Sequence, residues 1–199
     1  MRFRLKDTFP DAQFEVRGEP ADEGSARMLA EADRYQFQWW ALSLVRAKPV
    51  EGKEKKGADR GIDGLITFVD DHTGQLKRCL VQVKSGHVSS ATIRDLVGTI
   101  NREHAEMGIL VTLDLSSAPM RKEAAEAGFY HSPGWKRDYP RVQIATIAEL
   151  LAGTAPSIPY GVLAFNRADR MIADAAERQI GFAALISTPP ASPHPRTDD

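Results

Sequence analysis

Apolar residues recur at helical spacing in two segments of this 199-residue chain. After Asp33, apolar residues fall at i, i+3, i+4, i+7 and i+8. Asp33 and Gln36 have the spacing of a capping box, which marks the start of a helix. A second apolar face follows Ser89 or Ser90. The pattern predicts two amphipathic helices, ended before Pro49 and at Gly108. Their apolar positions are Phe37, Trp40, Ala41, Leu44 and Val45 in the first helix and Ile93, Leu96, Val97 and Ile100 in the second.

Shorter apolar runs predict strands. Residues 65–69 and 80–83 are expected to form a hairpin across the turn sequence DHTG, residues 71–74. The continuous run GILVTL, residues 108–113, is typical of a strand covered on both faces. RVQIATI, residues 141–147, predicts one more strand.

Two further helices complete the pattern. Pro119 is expected to open one and Gly128 to end it, and Thr146 and Glu149 have the spacing of a second capping box before Gly153. Helices that alternate with a hairpin and single strands predict an α/β fold with a mixed β-sheet flanked by helices.

The order of these elements suggests four regions. Residues 1–32 are expected to be a lead-in with a short strand (13–17) and a short helix (25–31), and residues 33–153 the main domain. Residues 154–185 are expected to be an extension with one helix (166–179). Residues 186–199 are rich in proline and lack apolar content, which predicts a disordered tail.

Charge and cysteine content narrow the function classes. The net charge of −1 excludes a generally basic nucleic-acid coat but leaves room for a local basic patch. With one cysteine, the chain has no intramolecular disulfide and no thiolate zinc site. Without a long apolar run or a signal-like N-terminus, we expect a cytoplasmic protein with no membrane contact.

A lysine inside an apolar strand is the first sign of chemistry. Lys84 and Gln82 are two residues apart in a predicted strand, so their side chains point to the same face. A hairpin would bring that face alongside Asp63. Carboxylate, amide and backbone oxygens suit a hard cation such as Mg²⁺, and a nearby ammonium can stabilise negative charge on a phosphate. The alternative is a lysine at a strand end whose ammonium reaches water.

The stretches GADRGIDG (57–64) and LVQVKSG (80–86) resemble the Mrr-type branch of the PD-(D/E)xK nucleases, with Q-x-K in place of (D/E)-x-K. YQFQWWALSLV, IRDLVGTI, GILVTL and APMRKEAAEAG resemble further family segments, so the resemblance covers about residues 35–151. It implies a restriction-endonuclease-like mixed β-sheet with an αβββαβ-type core. Within that branch, the chain resembles Mrr-like segments that lie beside or are fused to bacterial site-specific DNA methyltransferases. This resemblance implies a DNA methyltransferase as a partner.

The resemblance also implies roles for individual residues. Asp63 would be the metal-binding carboxylate, Gln82 would occupy the second ligand position, and Lys84 would be the catalytic lysine. Mg²⁺, or Mn²⁺ in its place, would also be bound by the backbone carbonyl of Val83. Gln38 stands where the family often has a glutamate on its first helix.

Basic residues surround this candidate site in the sequence. Asp59 is either a further metal ligand or a turn residue. The basic residues are either a rim that contacts DNA phosphates or, since acidic residues are interleaved with them, an ordinary solvated loop. They are Lys53, Lys55, Lys56, Arg60, Lys77 and Arg78.

Two functions follow as hypotheses. The first is a metal-dependent DNA endonuclease of the restriction type, which would leave a 5′-phosphate and a 3′-hydroxyl and would be a homodimer, because cutting both strands usually takes two sites. The second is a non-cleaving DNA-binding or docking module that accompanies a DNA methyltransferase. The neutral Gln38 and Gln82 motivate the second, because they leave Asp63 as the one clear carboxylate at the metal. Asp63 and Lys84 themselves favour the first, which is the function we expect from the sequence.

Overall fold

A computed structural model describes residues 18–50, 61–71 and 73–159 of the chain. All of these belong to the first of the two units into which the chain divides, Met1–Tyr160. The predicted strand at 13–17, the predicted helix at 166–179 and the predicted tail lie outside the described residues. In the described ranges, no helix combines the length and the apolar character that crossing a membrane requires.

Five helices and seven strands are described. The helices are α1 (Glu23–Ala32), α2 (Arg34–Leu44), α3 (Ser90–Arg102), α4 (Ala118–Glu126) and α5 (Ile147–Leu151). The strands are β1 (Lys48–Pro49), β2 (Gly64–Phe68), β3 (Lys77–Lys84), β4 (Met107–Thr112), β5 (Phe129–Ser132), β6 (Arg137–Pro140) and β7 (Val142–Thr146).

The main sheet is mixed and has the strand order β1-β2-β3-β4-β7. The first three strands are antiparallel neighbours, whereas β4 runs parallel to β3 and to β7. In chain order α2, β1, β2, β3, α3 and β4 give the αβββαβ core, so the predicted fold class is confirmed. Strands β5 and β6 form a separate antiparallel hairpin.

Helices cover both faces of the sheet. Odd-numbered residues of β3, such as Cys79 and Val81, pack in one core with Phe37 and Trp40 of α2. Leu80 lies in the other core, with Ile93 and Leu96 of α3 and with residues of α4. Strand β4 is buried along its whole length, as its continuous apolar run predicts.

Most helix starts follow the predicted local signals. Asp33 caps α2 by accepting hydrogen bonds from the backbone N–H groups of Tyr35 and Gln36. Ser89 is the N-cap of α3, and Thr146 and Glu149 form the predicted capping box of α5.

The predicted end of α3 at Gly108 is wrong. The helix ends at Arg102, and Gly108 lies inside β4, paired with Val142. A Cβ at Gly108 would lie 2.5 Å from Cδ1 of Ile100, so the glycine allows β4 to pack closely against α3. A local breaker signal cannot be told from a packing glycine by sequence alone.

The β5–β6 hairpin is not among the strands that the sequence predicts. Its connection contains Lys136 at a φ of 49° and Gly134, which packs directly on the β2–β3 hairpin. A Cβ at Gly134 would overlap the carbonyl oxygen of Asp70. The missed hairpin therefore docks on a predicted one.

Candidate functional site

One end of the sheet gathers the polar residues singled out from the sequence. Asp63 directly precedes β2, and its backbone N–H donates to the Val81 carbonyl at 2.9 Å. Because Gly64 pairs with Val81, Asp63 lies opposite Gln82. Gln82 and Lys84 share a face of β3 through strand alternation, and Gln38 of α2 reaches Asp63.

Both carboxylate oxygens of Asp63 accept hydrogen bonds from N–H groups. The side-chain amide of Gln38 donates from Nε2 to Oδ1 at 2.8 Å. The backbone N–H of Val83 donates to Oδ2 at 2.7 Å. The carboxylate thus joins α2 to β3 directly. Val83 contacts Asp63 through its N–H, and the metal-binding role of its carbonyl stays a prediction.

Gln82 is buried with an unsatisfied acceptor. The residue is 7% exposed, and Oε1 has no hydrogen-bond partner among the described residues. Gly61 lies against this side chain at a φ of +67°, and a Cβ there would be 3.3 Å from Nε2 of Gln82 and 3.8 Å from Oγ1 of Thr99. Glycine therefore suits the position for both conformation and space. No sequence pattern predicts Gly61 or Thr99 as a neighbour of Gln82.

Lys84 is half-buried at the end of β3, in register with Thr112 of β4. Its backbone carbonyl accepts a hydrogen bond from the N–H of Leu113 at 3.4 Å. Within the described ranges, its ammonium makes no ion pair. Lys77, at the other end of the same strand, does form ion pairs, with Asp70 and Asp71.

The predicted basic rim beside Asp63 does not include Lys77 and Arg78. Both lie at the opposite end of β3, because the strand is eight residues long and Asp63 bonds near its far end. The guanidinium of Arg78 donates to the carbonyl of Glu103, and its backbone N–H donates to Oε2 of Glu106 at 2.7 Å. The other rim residues, Lys53, Lys55, Lys56 and Arg60, lie outside the described residues, as does Asp59.

Lys77 belongs to a buried polar cluster that sequence reasoning did not find. Its ammonium lies 2.8 Å from Oδ1 of Asp70 and 3.5 Å from Oδ2 of Asp71. The ammonium also donates to the Tyr130 hydroxyl at 2.9 Å, and that hydroxyl donates to Oδ2 of Asp70 at 2.6 Å. The hairpin pattern brings Asp70 near Lys77, but Tyr130 is 60 residues away from Asp70, and no local signal links them.

The cluster shifts the pKa values of its members. Burial and the hydrogen bond to Asp70 raise the pKa of Tyr130 to about 12. Burial opposes the charged form of Lys77, but its hydrogen bonds to Asp70 and Tyr130 outweigh burial and raise the pKa of the ammonium. Burial likewise favours protonated Asp70, but hydrogen bonds from Lys77, Tyr130 and Ser132 together lower its pKa. The ion pair therefore stays charged at neutral pH.

The described residues offer few oxygen ligands for Mg²⁺ at this edge. Mg²⁺ requires near-octahedral coordination by oxygen. Asp63 already accepts two N–H groups, and Gln82 offers one neutral oxygen. Across the described parts of the chain, no three His, Cys, Asp or Glu side chains are grouped so that they could hold a metal.

The sequence family described as NACHT-associated inactive Restriction Endonuclease 1 matches residues 45–152, more than half of the chain. The chain belongs to this family. The matched range contains Asp63, Gln82 and Lys84 and runs from the end of α2 to the end of α5, whereas Gln38 precedes it. Membership agrees with the restriction-endonuclease-like fold, and the Mrr-like branch stays a prediction.

Among solved structures, this chain is similar to the MspJI restriction endonuclease in complex with a 27-mer oligonucleotide. The two share 17% sequence identity with a TM-score of 0.49. The similarity covers 72% of this chain and 34% of the MspJI chain, so this chain spans about a third of that protein. No curated protein sequence matches this chain.

Proposed function

We propose that this chain is a non-cleaving DNA-binding domain built on the restriction-endonuclease fold. The observation that carries the proposal is the hydrogen bond from Gln38 Nε2 to Oδ1 of Asp63 at 2.8 Å. A glutamate in the place of Gln38 would repel Asp63 unless a cation lay between them. The neutral amide removes that need, because it donates directly to the carboxylate.

The charge at this edge supports DNA binding without hydrolysis. Asp63 is half-buried and accepts two N–H groups, Gln38 and Gln82 are neutral, and Lys84 carries a positive charge. Phosphodiester hydrolysis by metal-dependent nucleases relies on the metal to generate the nucleophile and to stabilise the leaving group. Among the described residues, the edge has one carboxylate and one ammonium, and so no excess negative charge to repel a DNA phosphate.

The family description supports the absence of DNA cleavage and suggests a partner protein. It calls these restriction-endonuclease domains inactive and NACHT-associated. We therefore propose a NACHT-containing protein as a partner, beside the DNA methyltransferase that the Mrr-like resemblance implies. Trp39, 58% exposed on α2, is a candidate contact for a partner domain, and a homodimer stays a prediction.

Metal-dependent DNA cleavage is the competing function. The observation in its favour is Oε1 of Gln82, a buried acceptor without a partner among the described residues. Such an atom is costly to bury and attracts a hydrogen-bond donor or a cation. Lys84 would then orient a water molecule, as the nuclease resemblance implies.

A plasmid assay separates the two functions. Methylated and unmethylated supercoiled plasmids are incubated with the wild type and with Lys84→Ala, in Mg²⁺, in Mn²⁺ and in EDTA, and each mixture is also analysed for DNA binding by gel shift. We expect a gel shift in EDTA and no nicked or linear product in either metal. Metal-dependent nicking by the wild type that Lys84→Ala abolishes would contradict the proposal.

A further inference from the structure

Strand β5 has one edge that pairs with no described strand, because its sheet consists of β5 and β6. The backbone N–H of Arg141 donates to the carbonyl of Gly128 at 2.9 Å, and this bond sets the phase of the β5–β6 ladder. Hydrogen-bonded and non-bonded positions alternate along an antiparallel ladder. Counted from Gly128, the non-bonded positions of β5 are Phe129 and His131. Their backbone N–H and C=O groups therefore point away from β6.

The outer edge of β5 is open in its side chains as well as in its backbone. Across the described ranges, no backbone or side-chain group hydrogen-bonds the backbone of Phe129 or His131 on this edge. The Phe129 side chain is 70% exposed. The His131 ring is also exposed, and its Nδ1 lies 2.7 Å from Oδ1 of Asp138. An unpaired strand edge with an exposed apolar side chain is a template for a further strand.

The outer edge of β6 is protected, in contrast to that of β5. At its non-bonded positions lie Asp138 and Pro140. Pro140 has no N–H to donate, and its carbonyl accepts a hydrogen bond from Nε2 of Gln143 at 3.4 Å. Asp138 adds an exposed charge, and proline and charge are both devices that prevent edge pairing. The hairpin thus offers one edge for pairing, which allows a closed pair of molecules and not an open fibre.

We infer that two copies of this chain associate through β5, in an antiparallel pairing centred on Tyr130. The pairing places Phe129 of each copy opposite His131 of the other copy. The outward N–H and C=O groups of both residues then become hydrogen-bonded, and none is left over. A second copy is the occupant because the edge is complementary to itself in this register, residue by residue.

Side chains and net charge favour the same occupant. The exposed Phe129 ring would lie between Pro140 of its own copy and His131 of the other copy, and cross-strand pairs that include aromatic rings stabilise a sheet. The net charge of −1 leaves little electrostatic repulsion between two copies. The hairpin is anchored at the Lys77 end of β3, whereas Asp63 lies at the other end. The association is therefore separate from the proposed DNA binding.

Sedimentation velocity over about a hundredfold range of protein concentration tests the inference. The main variant, His131→Pro, removes an outward N–H that the hairpin itself does not use. Its matched control, Asp138→Pro, places a proline on the other edge and loses the same contact between His131 and Asp138. Phe129→Ser removes the exposed ring without a change of backbone. Circular dichroism verifies that each variant is folded.

We expect the wild type to form a dimer whose fraction rises with concentration. His131→Pro should weaken dimerisation about tenfold or more, because each copy loses a hydrogen-bond donor at the contact. Phe129→Ser should also weaken it, through the loss of apolar contact. Asp138→Pro should dimerise like the wild type.

Disulfide cross-linking tests the register. A mixture of Phe129→Cys and His131→Cys proteins should form a cross-linked dimer on oxidation, because the two positions face each other across the contact at a separation that a disulfide spans. Phe129→Cys alone should not, because its two copies would be displaced along the strands. The native Cys79 is buried and does not interfere.

Three results would overturn the inference. A wild type that stays monomeric at the highest concentration would show that a second copy does not occupy this edge. Equal dimerisation of His131→Pro and Asp138→Pro would show that two copies meet on another surface. Efficient cross-linking of Phe129→Cys alone would contradict the register. None of these results bears on the proposed DNA binding, which the gel shift tests separately.

Discussion

Asp63 faces a neutral amide, the side chain of Gln38, at the edge of the sheet. With an amide at position 38, its carboxylate accepts one hydrogen bond from α2 and one from the backbone of β3, at 2.8 and 2.7 Å. Hydrogen bonds to a charged acceptor are among the stronger ones in proteins. Asp63 is thus explained as a link between two elements of the fold.

Replacing Asp63 tests that explanation. We expect Asp63→Ala to lower the free energy of unfolding by about 1–3 kcal/mol in the presence of EDTA, because Val83 N–H and the Gln38 amide lose their acceptor. Urea denaturation measures the change. Asp95→Ala, on the exposed side of α3, is the control and should shift stability by no more than about 0.5 kcal/mol.

The opposite result would point to a metal ligand. A carboxylate held ready for an absent cation is unfavourable in EDTA, so its removal would leave stability unchanged or increase it. Asp63→Ala as stable as Asp95→Ala would therefore contradict the structural link.

How much of this edge the sequence predicts depends on the range of each interaction. Strand alternation and the predicted hairpin are sufficient to bring Gln82 opposite Asp63, with Lys84 on the same face. The bond between Gln38 and Asp63 joins residues 25 positions apart and depends on how α2 packs, which no local pattern encodes. Lys77 is near Asp63 in the sequence, but the hairpin carries it to the other end of β3.

At the level of secondary-structure elements, the buried cluster ties the β2–β3 hairpin to the β5–β6 hairpin. Asp70 and Lys77 belong to the first, and Tyr130 comes from the second. Phe68 and the Tyr130 ring pack edge to face with centroids 6.0 Å apart, and Gly134 sits on the Asp70 carbonyl. Polar and apolar contacts therefore hold the same junction.

The shifted pKa of Tyr130 makes this junction sensitive to alkaline pH. Its pKa rises from 10.0 to about 12 on folding, so its contribution is complete below pH 10 and is lost as the pH rises towards 12. Lys77, whose pKa is also raised, acts in the same direction. We expect Tyr130→Phe to be less stable at neutral pH by about 1–3 kcal/mol and to lose less stability between pH 10 and pH 12.

Urea denaturation of both proteins from pH 7 to pH 12 measures this effect. Equal slopes for the wild type and Tyr130→Phe above pH 10 would show that the hydroxyl does not stabilise the junction as a proton donor to Asp70.

The elements that the sequence predicts are those with local signals. Asp33, Ser89 and Thr146 begin helices as predicted, because a cap is made by residues within one turn. The β5–β6 hairpin was missed because its short strands depend on docking against Asp70 and Lys77. The prediction that Gly108 ends a helix is wrong because this glycine makes space for the side chain of Ile100, and that contact joins a strand to a helix.

For the whole molecule, the fold and the chemistry of its site are separable. The mixed sheet packs between two apolar cores, and at one edge of it the amide of Gln38 donates a hydrogen bond to the carboxylate of Asp63. Fold class was therefore predictable from the alternation of helices and strands. The proposed absence of cleavage rests on two neutral side chains, Gln38 and Gln82, that the pattern of apolar residues does not constrain.

The first measurement to make is isothermal titration calorimetry of Mn²⁺ into the folded wild type, with Gln38→Glu and Asp63→Ala in parallel. We expect no binding by the wild type or by Asp63→Ala, and binding by Gln38→Glu, where two carboxylates would meet. One Mn²⁺ bound per wild-type chain, and lost in Asp63→Ala, would contradict the view that Gln38 closes this site to metal.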